Sequence, residues 1–455
     1  MKLGVAILAA GQGTRMKSDL PKVLHPLADR PLLRHVVDTA LELDLARFCI
    51  VHGHGGDQVR LALGDLDCDW AHQAERKGTG HALLQALPHL GDVDRVLVLY
   101  GDIPLIRAAT LRRLLEEARD TSLGVLTAFL PDPGGYGRIV RDHDGRVRRI
   151  VEERDASEAE LAIDEINTGF LIADRVALAD WLGRLGNDNA QGEYYLTDII
   201  AMATAEGRAI ATTQPEKSEE ILGVNDRIQL ADLERRFQAR IARDLMQTGV
   251  SLRDPARLDV RGHLQVGRDV SIDINCLFEG EVVLGDEVTI GPNCYLRDCV
   301  IGAHTQVLAN SVIEEARVGT QARIGPFSRL RPQADLADEV HVGNFVEIKK
   351  AQIGQGTKIS HLSYIGDAQV GSGVNIGAGT ITCNYDGVNK HLTRIGNGAF
   401  IGSNTALVAP VTVGEGATIG AGSVIGRDTP PHKLTLTRAP QRTIEQWQKP
   451  VKKRI

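Results

Sequence analysis

Residues 395–425, IGNGAFIGSNTALVAPVTVGEGATIGAGSVI, place an aliphatic side chain at every sixth position. Glycine follows five of these six aliphatic residues, the exception being Leu407. A period of six is typical of a parallel β-helix, in which three hexads form a triangular coil with the aliphatic side chains stacked inside. Glycine suits the corners of such a coil. Helices of this type are left-handed, an exception to the rule that parallel β crossovers are right-handed.

The same pattern extends back from this stretch almost to residue 250, with occasional steps of five residues. Its aliphatic positions are Leu284, Ile290, Ile301, Val318, Ile324, Val342, Ile348, Ile359, Ile365 and Ile376. At three hexads per coil, the region holds roughly ten coils. The 48 glycines and the aromatic content of only 4% agree with tight corners around a narrow aliphatic core. We therefore predict a left-handed parallel β-helix domain of hexapeptide repeats over residues 249–455.

One stretch of the predicted solenoid loses the period, residues 382–394 with the sequence TCNYDGVNKHLTR. A solenoid is stable without such an insertion, and loops that leave a regular repeat often carry function. His361 lies in the repeat before it, and histidine is a suitable general base for an amine nucleophile. Taken alone, His361 is better explained as an ordinary surface or core histidine, since the chain has 14.

Other polar side chains interrupt the same aliphatic pattern. Arg331 and Lys349 supply two positive charges that suit a phosphate dianion. Asn375, together with Asn384 and Tyr385 of the insertion, offers hydrogen bonds to a sugar. Because β-helices of this kind serve both as transferases and as inert assembly modules, only these residues argue for an active site in this half.

The first half of the chain alternates strand-like and helix-like runs. Residues 4–8, 48–51 and 95–100 are strand-like, and residues 32–45 and 110–118 have helical spacing. This alternation predicts a Rossmann-like α/β domain over residues 1–227, with a mostly parallel sheet and ligands at the carboxyl ends of its strands. A linking helix is predicted over residues 228–248 from the one-sided apolar positions Leu233, Phe237, Ile241 and Leu245.

A glycine-rich loop follows the first strand. Gly11 and Gly13 allow the backbone to approach a phosphate chain, and Arg15 and Lys22 add positive charge where the phosphorus gathers negative charge. Asp102 ends another strand, where a carboxylate is able to hold Mg²⁺, although a single aspartate there is more often a turn or cap residue. The loop matches neither the Rossmann dinucleotide pattern nor the P-loop.

The composition limits the possible binding partners and the cellular compartment of the protein. The net charge of −7 gives no support for nucleic-acid binding, and no apolar run of about 18 residues predicts a membrane span. We interpret the apolar start, MKLGVAILAA, as a buried strand rather than a signal peptide. None of the six cysteines belongs to a Cys-x-x-Cys pair. We expect a cytoplasmic protein with free thiols, no nucleic-acid partner and no membrane association.

The order Gly-x-Gly-Thr-Arg-Met at residues 11–16, followed by Pro21 and Lys22, resembles the signature of nucleoside-diphosphate-sugar pyrophosphorylases. The resemblance implies that a sugar-1-phosphate oxygen displaces pyrophosphate from a nucleoside triphosphate, with Mg²⁺, Arg15 and Lys22 neutralising charge. It implies base recognition by residues 73–79, sugar binding by residues 137–167, and Mg²⁺ ligands at Asp102 and Asn225. The full implied nucleotide-sugar set is Leu8, Ala9, Ala10, Gly11, Lys22, Gln73, Gly78, Thr79, Tyr100, Gly101, Asp102, Gly137, Glu152, Asn167 and Asn225.

Three strings of the second half extend the resemblance over essentially the whole chain: GNFVEIKK at 343–350, HLSYIGD at 361–367 and NIGAGTITCNYDG at 375–387. They are similar to those of the bacterial bifunctional glucosamine-1-phosphate N-acetyltransferases/N-acetylglucosamine-1-phosphate uridyltransferases, which are homotrimers. The resemblance implies His361 as the general base. The implied glucosamine-1-phosphate ligands are Arg331, Lys349, Tyr364, Asn375, Asn384 and Tyr385. The implied acetyl-CoA contacts are Ala378, Asn384, Tyr385, Ser403, Ala421 and Arg438.

The favoured hypothesis is therefore two sequential reactions, with acetyl-CoA and UTP as co-substrates, on the route to UDP-N-acetylglucosamine for peptidoglycan and lipopolysaccharide. The main alternative is a single-activity nucleotidyltransferase whose β-helix serves only assembly or allosteric control. His361 and the 382–394 insertion argue against it, since an inert helix needs neither. A nucleotide-sugar sensor without activity is a third hypothesis, and the intact set of Arg15, Lys22 and Asp102 argues against that.

Overall fold

The strand expected at the start of the chain is β1 (Leu3–Ala9), and all seven of its residues are buried. A continuous apolar run is what a strand covered on both faces of a sheet requires. The computed structural model describes residues 1–53 and 55–452. The chain divides into two units, Met1–Phe237 and Gln238–Ile455.

The first unit alternates strands and helices, as its sequence predicts. Its further strands are β2 (Pro26–Leu27), β3 (Arg30–Pro31), β4 (Arg47–His52), β5 (Asp69–His72), β6 (Arg95–Tyr100), β7 (Leu123–Phe129), β8 (Arg138–Arg141), β9 (Val147–Val151), β10 (Glu165–Asp174) and β11 (Ile210–Thr213). Its α-helices are α1 (Leu32–Leu41), α2 (Gly56–Ala62), α3 (Thr79–Leu90), α4 (Ala108–Glu117), α5 (Glu158–Leu161), α6 (Arg175–Gly183) and α7 (Asp198–Ala205). Short 3-10 turns cover Thr14–Met16, Lys22–Leu24, Glu153–Asp155 and Ser218–Ile221.

The main sheet of this unit has the strand order β11-β7-β10-β6-β1-β4-β5. Strand β1 is parallel to both β4 and β6, and β4 is parallel to β5, whereas β10 is antiparallel to β6 and β7. Successive residues of β6 enter different buried clusters, Leu97 and Leu99 on one face, Val96 and Val98 on the other. The predicted α/β fold with a mostly parallel sheet is thus confirmed, and the carboxyl ends of β1, β4, β5 and β6 share one edge.

The predicted linking helix is α8 (Arg227–Gln247), one residue earlier than expected. The division between the two units falls inside it, after Phe237. The functional domain limits suggested by the sequence, 1–227 and 249–455, remain predictions. In the described part of the chain, none of the helices combines the length and the apolar character needed to cross a membrane.

The second unit is built from short strands that pair in parallel with the next coil. One ladder contains β12 (Ser251–Leu252) and then Ser271–Ile272, Thr289–Ile290, Gln306–Val307, Arg323–Ile324, His341–Asn344, Lys358–His361, Asn375–Ile376, Phe400–Ile401, Thr418–Ile419 and Leu434–Thr435. The other contains Leu258–Val266, Cys276–Leu284, Tyr295–Ile301, Val312–Glu314, Arg317–Val318, Arg329–Leu330, Ala334–Leu336, Glu347–Ile353, Tyr364–Val370, Ile381–Cys383, Thr393–Ile395, Ala406–Val408, Val411–Val413 and Val424–Ile425.

The register of these ladders stacks the aliphatic residues of the hexads on one another. Ile359 pairs with Ile376, Ile376 with Ile401, and Ile401 with Ile419. All four side chains are buried. The insertion at 382–394 lies within the longer step from Ile376 to Ile401, and the register resumes after it. The predicted parallel β-helix of hexapeptide coils is confirmed.

The glycines of the repeat have two roles, of which the sequence analysis expected one. Gly422 has a φ of 72° and occupies a corner, as expected. Gly402, which follows Ile401, instead allows close stacking, because a Cβ there would lie 2.5 Å from the backbone nitrogen of Ala421. Many corners are not glycine at all; Asn293 has a φ of 58°. Asparagine tolerates this region, so the assignment of glycine to the corners was only partly right.

Candidate active sites

A cavity opens at the carboxyl ends of β1 and β6 in the first unit. Its lining residues are Leu8, Ala9, Ala10, Gly11, Lys22, Val23, Gln73, Arg76, Gly78, Thr79, Ala82, Tyr100, Asp102 and Glu193. Ten of them belong to the nucleotide-sugar set that the resemblance implies. The other four, Val23, Arg76, Ala82 and Glu193, were not predicted from the sequence. A charge between two matched segments was a usable signal for Arg76, whereas nothing around Glu193 marked it.

The glycine-rich loop brings a lysine into this cavity. Gly13 has a φ of 62°, and a Cβ there would lie 2.5 Å from Cβ of Lys22, so glycine is required for this approach. The Lys22 ammonium forms an ion pair with Asp102 and donates a hydrogen bond to Oδ1 of Asn225 at 3.3 Å. Three residues far apart in sequence therefore meet at one point.

Asp102 and Asn225 fit a divalent cation, because a carboxylate and an amide oxygen are the hard oxygen donors that Mg²⁺ takes. Within residues 1–53 and 55–452, no group of three or more His, Cys, Asp or Glu side chains could hold a metal ion. Asp102 and Asn225 would supply two donors, and phosphate oxygens and water would complete a metal's coordination in the way typical of Mg²⁺.

Six of the predicted residues lie outside the cavity lining: Arg15, Gly101, Gly137, Glu152, Asn167 and Asn225. Arg15 is exposed in the 3-10 turn after Gly13, on the solvent side of the loop. Gly101 has a structural role: its N–H donates to the carbonyl of Leu8 at 3.0 Å, and a Cβ there would lie 2.9 Å from Leu33.

The end of the cavity assigned to the base is formed by buried polar contacts. The Gln73 amide donates to the carbonyl of Gly78 at 3.0 Å. Gly78 has a φ of 97°, and a Cβ there would lie 2.7 Å from the carbonyl oxygen of Tyr194. Oγ1 of Thr79 accepts from the N–H of Leu196 at 3.1 Å. These bonds fix the peptide edges that face the cavity.

The three predicted sugar-binding residues also come together. The N–H of Asn167 donates to the carbonyl of Gly137 at 2.8 Å, and Gly137 lies against the Glu152 carboxylate. Oε1 of Glu152 accepts from Thr197 at 2.9 Å. Burial raises the pKa of Glu152, and the carboxylates of Asp198, Asp155 and Glu193 raise it further. The pairing of β10 with β7 is irregular between Asn167 and Leu171, and Oδ1 of Asn167 accepts from the N–H of Gly169 at 3.0 Å.

In the second unit, His361 heads a column of small residues along one corner of the β-helix. Its carbonyl accepts from the N–H of Gly379 at 3.4 Å, that of Ala378 accepts from Asn404 at 2.7 Å, and that of Ser403 accepts from Gly422 at 2.7 Å. Ala421 lies on this last coil, and Arg438 packs over Gly420 and Gly422 beyond it. The coils are about 4.8 Å apart, so the column offers a long strip beginning at an exposed imidazole.

Positive side chains from the coils before His361 and from the insertion lie close together. The close approach of the Lys390 ammonium, and then the charge of Arg331, lowers the pKa of Lys349. Arg331 itself donates to Oε1 of Glu347 at 2.7 Å. Tyr364 pairs in register with Glu347, one coil further along. Lys390 was not predicted from the sequence, although a lysine in the insertion at 382–394 was a usable signal.

The insertion is tied to the coil beneath it. Asn384 is buried, and its amide donates to Oδ2 of Asp367 at 2.5 Å. Tyr385 is exposed and forms an antiparallel bridge with Lys390. The Asn384 amide group is therefore already engaged with the coil, while Tyr385 faces outwards. Asn375 follows Lys358 by one coil, on the same ladder as His361.

Comparison with known proteins agrees with this arrangement. Family models match three regions: a MobA-like NTP transferase domain at residues 5–160, a GMPPB C-terminal domain at 260–353, and six bacterial transferase hexapeptide repeats at 392–427. An N-terminal nucleotidyltransferase unit followed by a hexapeptide-repeat unit defines a two-part transferase.

Full-length relatives narrow the class. The chain is 59% identical to the "Bifunctional protein GlmU" of Methylococcus capsulatus, over 100% of this chain and 99% of that protein. It is 56% identical to the protein of the same name from Idiomarina loihiensis, over 100% of both chains, and 58% identical to that of Azoarcus sp. (strain BH72), over 99% of this chain and 100% of the other. The chain belongs to the family of bifunctional GlmU proteins, and it is a bifunctional enzyme.

Proposed function

We propose that the chain makes UDP-N-acetylglucosamine by two reactions. The second unit transfers an acetyl group from acetyl-CoA to glucosamine-1-phosphate, and the first then transfers UMP from UTP to the product. The observation that carries the proposal is that one chain contains both the meeting point of Lys22, Asp102 and Asn225 and the column headed by His361. A β-helix used only for assembly would leave His361 and the Lys349–Lys390 pair without a role.

In the acetyl transfer, the amine nitrogen of the sugar attacks the thioester carbonyl. Its proton passes to His361, and the carbon–sulfur bond breaks to release the CoA thiolate. Lys349, Arg331 and Lys390 attract the sugar phosphate, because a dianion relieves the repulsion among these cations. The small residues of the corner column leave room for the extended CoA chain, and Arg438 provides charge at its far end.

In the nucleotidyl transfer, an oxygen of the sugar-1-phosphate attacks the α-phosphorus of UTP and pyrophosphate leaves. Lys22 stabilises the charge gathered on the phosphates, and Arg15 is placed at the loop edge to add to it. Mg²⁺ bound by Asp102 and Asn225 would supply further neutralisation. Glu152 and Asn167 bind the sugar, and Gln73, Gly78 and Thr79 bind the uracil. No protein nucleophile is required.

The proposal includes a homotrimer that assembles through the β-helix, with acetyl-transfer sites formed between subunits, and a cytoplasmic enzyme acting on small molecules only. Hexapeptide-repeat proteins commonly assemble in this way, and the family resemblance supports the trimer. The products supply peptidoglycan and lipopolysaccharide synthesis.

Two assays on the purified protein test the proposal. We expect thiol release from acetyl-CoA with glucosamine-1-phosphate, and pyrophosphate release from UTP with N-acetylglucosamine-1-phosphate. Other nucleoside triphosphates and glucose-1-phosphate serve as specificity controls. Pyrophosphate release without any thiol release would instead support a single-activity nucleotidyltransferase.

A further inference from the structure

Helix α8 begins beside the nucleotidyl-transfer site rather than after it. Its first residue, Arg227, comes two positions after Asn225. Leu233, in the second turn, belongs to a buried cluster whose other members are Met16, Leu27, Leu32, Leu105 and Val224. The first turns of the helix are therefore fixed to the segments that carry the glycine-rich loop and Lys22.

Arg227 connects these segments through two different nitrogens. Its Nε donates to the backbone carbonyl of Met16 at 3.3 Å, where the glycine-rich loop ends. Its Nη1 faces Nδ1 of His25 at 3.3 Å, three residues after Lys22. One guanidinium thus reaches the loop and the lysine segment, and its own backbone continues to Asn225, which contacts Lys22.

His25 has the properties of a fixed acceptor for this contact. Its side chain is only 2% exposed. Burial lowers the pKa of His25 and the Arg227 charge lowers it further, while a backbone contact from Leu20 raises it in part. An arginine only donates, so Nδ1 of a neutral ring must accept. Lysine would not replace this arginine, because one ammonium cannot reproduce two donors on a rigid planar fork.

We infer that Arg227 is a positioning residue for nucleotidyl transfer, holding the end of the glycine-rich loop and the Lys22 segment in register with Asn225. The inference rests on the proposed function of the first unit. It concerns Lys22 and Asn225, which meet at the phosphates, and not the sugar-binding cluster of Glu152 and Asn167.

The test compares Arg227→Lys and Arg227→Gln with the wild-type full chain. We expect kcat for pyrophosphate release to fall on the order of tenfold to a hundredfold, because a shift of about 1 Å in a catalytic group costs that much. The Mg²⁺ concentration for half-maximal rate should rise, since Asn225 loses its alignment with the Lys22 segment although its N–H still donates to Gln229. The KM for N-acetylglucosamine-1-phosphate should stay within twofold, and acetyl transfer by the same molecules should be unchanged.

Arg236→Lys is the matched control. Arg236 is exposed on the same helix and pairs only locally with Asp232 at 2.7 Å, so its variant should behave as wild type. Hydrogen exchange of peptides covering residues 11–25 gives a readout independent of activity, and it should be faster in Arg227→Lys but not in Arg236→Lys.

The possible outcomes distinguish the positioning role of Arg227 from the proposed function of the first unit. Wild-type kcat and wild-type exchange in Arg227→Lys would overturn the positioning role. A lower kcat together with a higher KM for N-acetylglucosamine-1-phosphate and a lower melting temperature would also overturn it, because that combination indicates general destabilisation. If exchange is faster in Arg227→Lys but the wild type releases no pyrophosphate from UTP, then Arg227 holds the two segments and the proposed function is wrong.

Discussion

The two sites are assembled in opposite ways. In the first unit, Lys22, Asp102 and Asn225 come from distant parts of the chain, and the sheet connections bring them into contact. In the second, His361, Ala378, Ser403 and Ala421 follow one another along the sequence, because each coil adds one residue to the same corner. The first is a non-local site that needs the complete fold, and the second is a repeated local geometry.

The two sites also differ in how their charged side chains are arranged. The ammonium of Lys22 is already paired with a carboxylate in a partly enclosed cavity, and its side chain is only 11% exposed. Lys349 instead lies beside Lys390 and Arg331, which lower its pKa. The first site therefore holds a balanced ion pair that a bound metal ion and phosphates would have to rearrange, whereas the second holds a cationic surface that a dianion would neutralise.

The largest effect is expected at His361. His361→Ala removes the only proposed proton acceptor, so the rate of thiol release should fall about 10²–10⁴-fold. Pyrophosphate release should be unchanged, because that activity belongs to the other unit. His263→Ala, an exposed histidine that pairs with Glu281, is the control. Retention of wild-type thiol release in His361→Ala would contradict the role of His361 as the general base.

Lys22→Ala tests the first site in the same manner. Loss of this charge should lower kcat for pyrophosphate release about 10²–10³-fold, with acetyl transfer preserved. Asp102 loses its ion-pair partner, so the apparent affinity for Mg²⁺ should rise even as the rate falls. Lys2→Ala, an exposed lysine before β1, controls for loss of charge. A weaker Mg²⁺ requirement without any loss of rate would contradict the assigned role of Lys22.

Lys349→Gln probes the cationic surface of the second site. The KM for glucosamine-1-phosphate should rise about tenfold or more, because a charged hydrogen bond to the phosphate is lost. The KM for acetyl-CoA should not change, and Lys433→Gln, which removes another exposed lysine of the same unit, serves as the control. A change confined to acetyl-CoA would place the phosphate elsewhere.

The smallest effect is expected at Glu152, and it is a dependence of the KM for N-acetylglucosamine-1-phosphate on pH. Its pKa is raised by burial, so it gains a proton at a higher pH than an ordinary glutamate near 4.5. The ionised form is the better acceptor for a sugar hydroxyl. The KM for N-acetylglucosamine-1-phosphate should therefore rise a few-fold as the pH falls through the pKa of Glu152. Glu152→Gln should flatten that dependence. An unchanged pH profile in the variant would assign it to another group.

The hexad period predicted the β-helix and its core because that information is local. Ile359 stacks on Ile376 because the two residues occupy the same position in successive coils. The glycine-rich loop was similarly recognisable from its own residues. Glu193 and Arg227 were not predicted, since the residues that each one lies beside come near it only in the folded chain. The spacing of Leu233 and Phe237 identified a buried helix face, but it did not reveal what covers that face.

The insertion at 382–394 has a consequence for how this enzyme is able to change. Each coil of a solenoid contacts only its two neighbours, so its stability is nearly a sum of nearest-neighbour terms. The register before Ile376 and after Ile401 is the same despite the extra residues. Variation in its exposed part, residues 385–390, therefore costs the scaffold little, and substrate preference in the second unit is free to evolve there without rebuilding its core. The converging site of the first unit has no such freedom.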